Sequence, residues 1–365
     1  MNVIILLSIV VILIAYFAQF KNAKYMLELS FVIIFLFTAL RYDYGKDYMN
    51  YYKAFMSIKS HSLSYSINND VLHFEIGWLI INYLFRPIGF FGLIFTLSAF
   101  FCYTYYSLIK KYVTVNYYWF AVLIYVFLSD IMFVQFSAIR QGLSIAIFIY
   151  SIRYLIEKRN EVKYLNIVKY ILLNIVSGYI HTSGFFLILL VFFAFPTIQK
   201  SKYTGYIILI LYFLFLLFGS VFYQYFLHLS LFFGGDKYNV YFDNFKNKQI
   251  TLIGSLFWTV YIIIVIYYSR FQSRLFKVVL LICSLYFLVY PISNSIVLSN
   301  RLGYYFAPFC AISFPIILKT EKNSLLRFGL FALFLIFIFY NLKYFMSMNW
   351  VNIGYKNYQT IFSIL

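Results

Sequence analysis

The chain has 365 residues, of which 64% are apolar and only 11% are charged. A soluble domain carries roughly 25% charged residues, and here the apolar residues come in long blocks instead of helical stripes, which excludes a water-facing fold. The formal charge of +18 would raise nucleic acid as a partner in a soluble protein, but most of it sits in short loops between apolar blocks and reads as membrane topology.

Blocks of roughly 17–25 apolar residues can cross about 30 Å of hydrocarbon as helices. The sequence therefore predicts an all-α polytopic integral membrane protein of about 12 transmembrane helices, forming a single transmembrane domain over residues 1–365. The first block, 3–20, has no basic residue before it and is followed by Lys21 and Lys24, the flank order of an uncleaved helix with its N-terminus outside. The next is 25–40. An outer loop near 41–73 follows, then a short apolar segment, 74–85, closed by Arg86 and Pro87. Too short to span, that segment is expected to be a re-entrant or interfacial half-helix. Further blocks lie near 88–108, 117–134, 138–156, 164–180, 183–199 and 203–222. A second outer loop covers 223–250, and the last blocks lie near 251–269, 278–297, 302–319 and 328–346.

Alternate loops carry the basic residues: Lys110 and Lys111, then Arg153 to Lys163, Lys200 and Lys202, Arg270 to Lys277, and Lys319 to Arg327. Short basic loops face the cytoplasm, which predicts a multi-pass protein with both termini outside. The histidines (His61, His73, His181, His228) then fall outside, with Asp43, Asp47, Asp70, Glu75, Asp130, Asp236 and Asp243. The cysteines Cys102, Cys283 and Cys310 lie inside apolar runs and read as small buried hydrophobes. The aromatic content of 24% suits lipid-facing, core and interfacial positions, and also stacking on sugar rings.

Polar residues pushed into apolar sequence are costly and mark function. Five groups stand out. In 41–52, Arg41 opens a segment with Asp43, Gly45, Asp47 and Tyr51. A guanidinium beside carboxylates can bind phosphate, or simply form a local pair in a solvated loop. Glu75 begins the half-helix, as a general base or as a helix N-terminal acid. Arg140 and Gln141 stand in a continuous apolar stretch. A buried Arg needs a partner, either a ligand phosphate gripped bidentately or an acid from another helix. His181 sits in a tight turn, as proton shuttle or as a turn residue bonded to backbone. Arg301 enters an apolar span with Tyr304 and Tyr305 three and four residues on, as a phosphate or sugar clamp or as a snorkelling side chain. The histidine spacing implies no metal, and no nucleotide or cofactor motif is present.

Arg41, Gly45, Asp47 and Tyr51, then Glu75 and Gly77, Arg140 and Gln141, His181 and Ser183, and Arg301 with Tyr305 resemble, in order, the motifs of the EpsG family of exopolysaccharide membrane proteins. Gly184 stands where a small Ala is usual after the histidine motif. That family is similar to Wzy-type polymerases of O-antigen and capsule. The resemblance implies a bacterial cytoplasmic (inner) membrane location and polyprenyl-diphosphate-linked oligosaccharide substrates. It also implies a metal-independent glycosyltransferase without cofactor, and leaves room for a chain-length regulator as partner. On this expectation Arg41, Arg140 and Arg301 bind the diphosphate, and Gln141, Tyr51, Tyr304 and Tyr305 bind substrate. Asp47, Glu75 and His181 compete to be the base. A lipid-linked oligosaccharide flippase, an O-antigen ligase and a membrane O-acyltransferase are the other readings. A transporter would place its charges at mid-membrane and often show repeated halves.

Overall fold

The computed structural model describes residues 2–21, 23–68, 74–156, 163–233, 252–293 and 299–363. Asp70, His73, Asp236 and Asp243, assigned above to the outer side, lie outside these residues. The helices are α1 (Asn2–Phe17), α2 (Met26–Ala39), α3 (Tyr48–Ser60), α4 (Leu63–Asn68), α5 (Ile76–Leu84) and α6 (Phe90–Tyr112). They continue with α7 (Tyr118–Phe127), α8 (Met132–Ser137), α9 (Ile139–Leu155), α10 (Tyr164–Ile180), α11 (Pro196–Lys200) and α12 (Thr204–Phe233). After these come α13 (Leu252–Ser269), α14 (Arg274–Ser293), α15 (Asn300–Phe306), α16 (Cys310–Thr320), α17 (Ser324–Met346) and α18 (Asn349–Gly354). Strand pairing among the described residues is confined to β1 (Arg41–Tyr42) and β2 (Gln359–Thr360), antiparallel with Arg41 opposite Thr360.

Among the described residues, four helical stretches are long and apolar enough to cross a bilayer: Phe90–Tyr112, Arg274–Ser293, Asn300–Thr320 and Ser324–Met346. Shorter apolar helices of 10–17 residues accompany them. The all-α membrane architecture expected from the sequence is present, and several of the expected blocks are broken or extended relative to their predicted bounds. The 117–134 block breaks between α7 and α8. The 183–199 block is a long 3-10 segment, Thr182–Ala194, followed by α11. The 302–319 block is α15 and α16 joined by a 3-10 turn, Ala307–Phe309. The 203–222 block runs on as helix to Phe233, with a non-helical Phe218 inside, so part of the expected 223–250 loop is helical. Likewise the expected 41–73 loop holds α3 and α4. Hydropathy reports burial, not backbone regularity, and broken helices are tolerated at membrane depth where protein surrounds them.

Contacts between helix ends sort the chain into two faces. On one, Glu28 pairs with Lys110 at 2.5 Å, Tyr16 meets Trp119 and Trp119 meets Phe331. There too Gln272 donates to Thr320 at 2.7 Å and Lys277 to the Ser201 carbonyl at 2.9 Å. This face carries the basic loops. The other face gathers the start of α1, the Arg41 turn, α5, the α9 and α10 ends that carry Arg140 and His181, α15 and the C-terminal hook formed by α18 and β2. Two buried apolar clusters lie between the faces. The larger is centred on α7, α14 and α16, where Phe314 stacks on Phe334 at 4.0 Å. The smaller, with Tyr48, Phe55, Trp78, Phe90, Phe101 and Ile139, packs α3, α5, α6 and α9 together directly beneath the polar motifs.

Candidate functional site

The half-helix α5 is held at both ends. At its C-terminal end Arg86 donates to the carbonyls of Ile58, Lys59 and His61, capping α3, and its guanidinium lies over the Tyr83 ring at 4.3 Å. Near its start, Gly77 lies against the α10 backbone: a Cβ there would stand 2.7 Å from the Tyr179 carbonyl oxygen. Only glycine lets the two helices approach so closely. The approach carries Glu75, the residue before α5, to the turn after α10. Its Oε1 accepts the Thr182 N–H at 3.3 Å, and its Oε2 accepts from Arg140 Nη1 in an ion pair.

Arg140 stands in the first turn of α9, just past the break at Ala138. Its guanidinium lies over the Phe74 ring at 4.4 Å, Phe74 stacks on Tyr51, and the Tyr51 phenol faces Arg140. Of the two partners open in the sequence, the acid from another element is the one present. Both side chains of the ion pair retain some exposure, 21% for Arg140 and 16% for Glu75. Arg140 Nε is buried and has no hydrogen-bond partner within the protein, while the part of the guanidinium that stays exposed keeps N–H donors beyond the ion pair.

His181 caps α10 and is buried. It lies in the turn between two apolar segments, outside both. Burial, and then the charges of Arg301 and Arg140, push its imidazole down to about 3, which keeps it neutral at physiological pH. Its Nδ1 lies 2.7 Å from Ser183 Oγ, which lies 3.0 Å from the Tyr305 hydroxyl. That hydroxyl lies 2.7 Å from Ser144 Oγ, itself 2.5 Å from Ser177 Oγ. Gly184 makes the turn possible, since a Cβ there would meet Ser177 Oγ at 2.6 Å. Gln141 donates to the Arg301 carbonyl at 2.7 Å, tying α15 to α9, while the Arg301 side chain itself is exposed.

Glu75, Arg140, Gln141, His181, Arg301 and Tyr305 thus lie together as one candidate site, with Tyr51 at its edge. Tyr305 is fully buried, its hydroxyl taken up in the chain that runs from Ser183 to Ser144. Tyr304 is half-buried, with the Arg301 and Asp130 charges near it. Asp130 in turn, half-buried, accepts from Tyr286 at 2.7 Å and from Ser129 at 3.3 Å, a polar node joining the α7–α8 turn to α14. Asp47 precedes α3, half-buried, 3.5 Å from the Asn50 amide. Arg41 stands apart. It is 2% exposed and donates to the Thr38 carbonyl, to the Gln135 carbonyl at 3.3 Å and to Ser98 Oγ at 3.5 Å. It also faces the Phe136 ring at 5.1 Å. Those partners make it a brace between α2, α6 and α8, and its Nε, also buried, has no hydrogen-bond partner.

Sequence reasoning missed Phe74, Ser144 and Ser177. A Phe in an apolar run and Ser inside helices give no signal, because helical Ser commonly bonds back to its own helix. Among the described residues no three His, Cys, Asp or Glu side chains gather where they could share a metal ion. Compared with known protein families, the chain matches the EpsG family over residues 24–360. No curated protein and no solved structure gives a match.

Proposed function

The chain belongs to the EpsG family, a Wzy-like polymerase family, and from that premise we propose that it joins polyprenyl-diphosphate-linked oligosaccharide repeats at the outer face of a bacterial cytoplasmic membrane. The observation that carries the reading is the convergence of two arginines, a carboxylate and a neutral imidazole on the face opposite the basic loops. Short basic loops tend to lie on the cytoplasmic side, which supports reading the opposite face as the one that meets a flipped, lipid-linked substrate.

In the reaction, the bond between the anomeric carbon of the donor glycan and the diphosphate oxygen breaks. The electron pair leaves with polyprenyl diphosphate. A hydroxyl oxygen of the acceptor repeat bonds to the anomeric carbon, and its proton passes to a base. Arg301, exposed, and Arg140, with donors beyond its ion pair, bind the diphosphate and offset the charge that grows on it. Glu75 holds Arg140 in place, a role that conflicts with its acting as a free base. His181 is neutral and so holds a nitrogen lone pair, which makes it the base of this mechanism. Bound diphosphate sets negative charge against Arg301 and Arg140, and so removes part of what keeps the imidazole from accepting a proton.

The test is reconstitution of the purified protein in liposomes with a lipid-diphosphate-linked repeat. A ladder of multiples of the repeat, lost in Arg140→Ala and Arg301→Ala together, is expected. Transbilayer movement of the repeat without a ladder would overturn the proposal in favour of a flippase. Transfer to a non-repeat acceptor alone would overturn it in favour of a ligase.

A further inference from the structure

The hydroxyl chain that ends at His181 is anchored at its far end on backbone carbonyls, and the direction its protons take from that anchor decides which imidazole nitrogen is free. Each of Ser144, Ser177, Ser183 and Tyr305 has one proton to donate. The far end is anchored on backbone. Ser177 Oγ lies 3.1 Å from the Ser144 carbonyl, and Ser144 Oγ lies 3.1 Å from the Ser177 carbonyl. With the Ser177 proton on the Ser144 carbonyl, the Ser144 proton goes to Ser177, whose carbonyl and hydroxyl oxygens are both in reach. Ser144 Oγ is then an acceptor toward Tyr305. The Tyr305 proton goes to Ser144, the Ser183 proton goes to Tyr305, and Ser183 is left with a lone pair facing His181 Nδ1. Every proton in the chain then has an acceptor, the short Ser144–Ser177 contact holds a proton, and the Ser144 carbonyl gains one.

We infer that Tyr305 and Ser183, anchored by the Ser144–Ser177 pair, are positioning residues that hold His181 in the Nδ1–H tautomer and leave Nε2 as its free lone pair. None of them touches the reacting atoms; they act through the imidazole, as outer partners fix the tautomer of catalytic and metal-bound histidines elsewhere. The role of that lone pair, receiving the acceptor-hydroxyl proton, rests on the polymerase reading. The tautomer itself does not. The charged and titratable groups around the imidazole are Arg140 on α9, Arg301 and Tyr305 on α15, and Glu75 at the start of α5, which meets the same turn through the Thr182 N–H.

Two measurements test the inference separately. The first is the nitrogen spectrum of protein labelled with 15N-histidine in detergent or nanodiscs, with His181 assigned by its loss in His181→Gln. The expected signature is a pyrrole-type Nδ1 and a pyridine-type Nε2. In Tyr305→Phe the two tautomers should mix. A pyrrole-type Nε2 in the wild type overturns the inference whatever the protein's reaction. The second is polymerisation kinetics. Tyr305→Phe and Ser183→Ala should lower kcat roughly 10-fold or more with KM nearly unchanged, and Ser183→Thr, which keeps the hydroxyl, should restore most of it. Equal losses in Ser183→Ala and Ser183→Thr would assign Ser183 to packing and overturn its positioning role. A correct tautomer in a protein that makes no ladder would overturn the polymerase reading and leave the tautomer assignment standing.

Discussion

Gly77 of α5 and Tyr179 of α10 meet backbone to backbone, so close that a methyl group on Gly77 would stand 2.7 Å from the Tyr179 carbonyl oxygen. The obstructing atom is main chain in a helix and cannot rotate away. Gly77→Ala must therefore push α5 off α10, and Glu75 moves with it, away from Thr182 and Arg140. Overpacking of this kind costs about 1–3 kcal/mol. Gly77→Ala is expected to lower the midpoint of thermal unfolding in detergent and to reduce polymerisation by a larger factor than the stability loss explains. Unchanged activity at unchanged stability would show that the two helices are free to separate.

The Glu75–Arg140 pair makes a different prediction. Glu75→Gln keeps the shape of the side chain and removes its charge, leaving the Arg140 guanidinium without its carboxylate. Hydrogen bonds to charged groups contribute about 1.5–3 kcal/mol, and a loss in that range is expected by denaturation in detergent. The exchanged double variant, Glu75→Arg with Arg140→Glu, should recover part of that stability. It should recover no polymerisation, because it sets a carboxylate where the diphosphate meets α9. Full activity in the exchanged protein would make the pair purely structural.

How the sequence announced these contacts depends on the residue. Glu75, Arg140 and Arg301 set charges within or beside apolar runs, where a charge is costly, and His181 marks the turn between two such runs, so each was legible. Their pairing was not: Glu75 and Arg140 are 65 positions apart, and a carboxylate in an apolar run looks the same whether it serves as a base or holds an arginine. Arg41 was legible as unusual but its partners were not, because they are the carbonyls of Thr38 and Gln135, and every residue has a carbonyl. The helical character of the protein follows from its apolar blocks. The breaks at Leu128–Ile131 and in the 3-10 segment after His181 do not, since packing against neighbouring helices sets them. The C-terminal hook was invisible, being neither long nor apolar enough to signal an element.

His181 gives a pH dependence. Its folded-state value, about 3, lies below the ordinary 6.5 because of burial first and the Arg301 and Arg140 charges second. Below pH 6.5 the unfolded chain binds a proton at this residue and the folded chain does not. Stability from this group is therefore full above pH 6.5 and falls as the pH drops toward 3, at up to about 1.4 kcal/mol per pH unit. Thermal unfolding of wild type and His181→Gln between pH 7 and pH 4 should show a steeper decline for the wild type. Parallel curves would mean that the imidazole is solvated in the folded protein.

Arg41 and Arg301 should fail in opposite ways. Arg41 is buried among carbonyls and aromatic rings, and Lys lacks the planar fork that reaches three acceptors at once. Arg41→Lys is expected to reduce the yield of folded protein on size-exclusion chromatography while the surviving fraction keeps most of its specific activity. Arg301 is exposed, so Arg301→Ala should fold normally and lose roughly 10²–10³ in rate, the scale of a lost charge-stabilising donor. A normally folded but inactive Arg41→Lys would return Arg41 to the diphosphate site.

The C-terminal hook should prove as necessary as the motif it covers. The Tyr355 ring is fully buried and packs edge-on against Tyr44 at 5.2 Å. Its hydroxyl lies 2.7 Å from Ser137 Oγ on α8. The Gly354 carbonyl accepts the Gly45 N–H at 2.9 Å, and Gly45 holds a φ of +125° with the Phe136 carbonyl beside it. The turn that follows Arg41 is thus clamped between the hook and α8, and α8 leads directly into α9 and Arg140. Tyr355→Ala removes a buried ring and its hydrogen bond, at a cost of about 3–5 kcal/mol by analogy with Phe→Ala in a core. Loss of stability on that scale, with loss of polymerisation, is expected. Tyr355→Phe keeps the ring and should cost about 0.5–1.5 kcal/mol, the net worth of one hydrogen bond, with activity largely retained. If Tyr355→Ala were as stable and active as the wild type, the hook would be a passenger and the turn at Gly45 would hold itself.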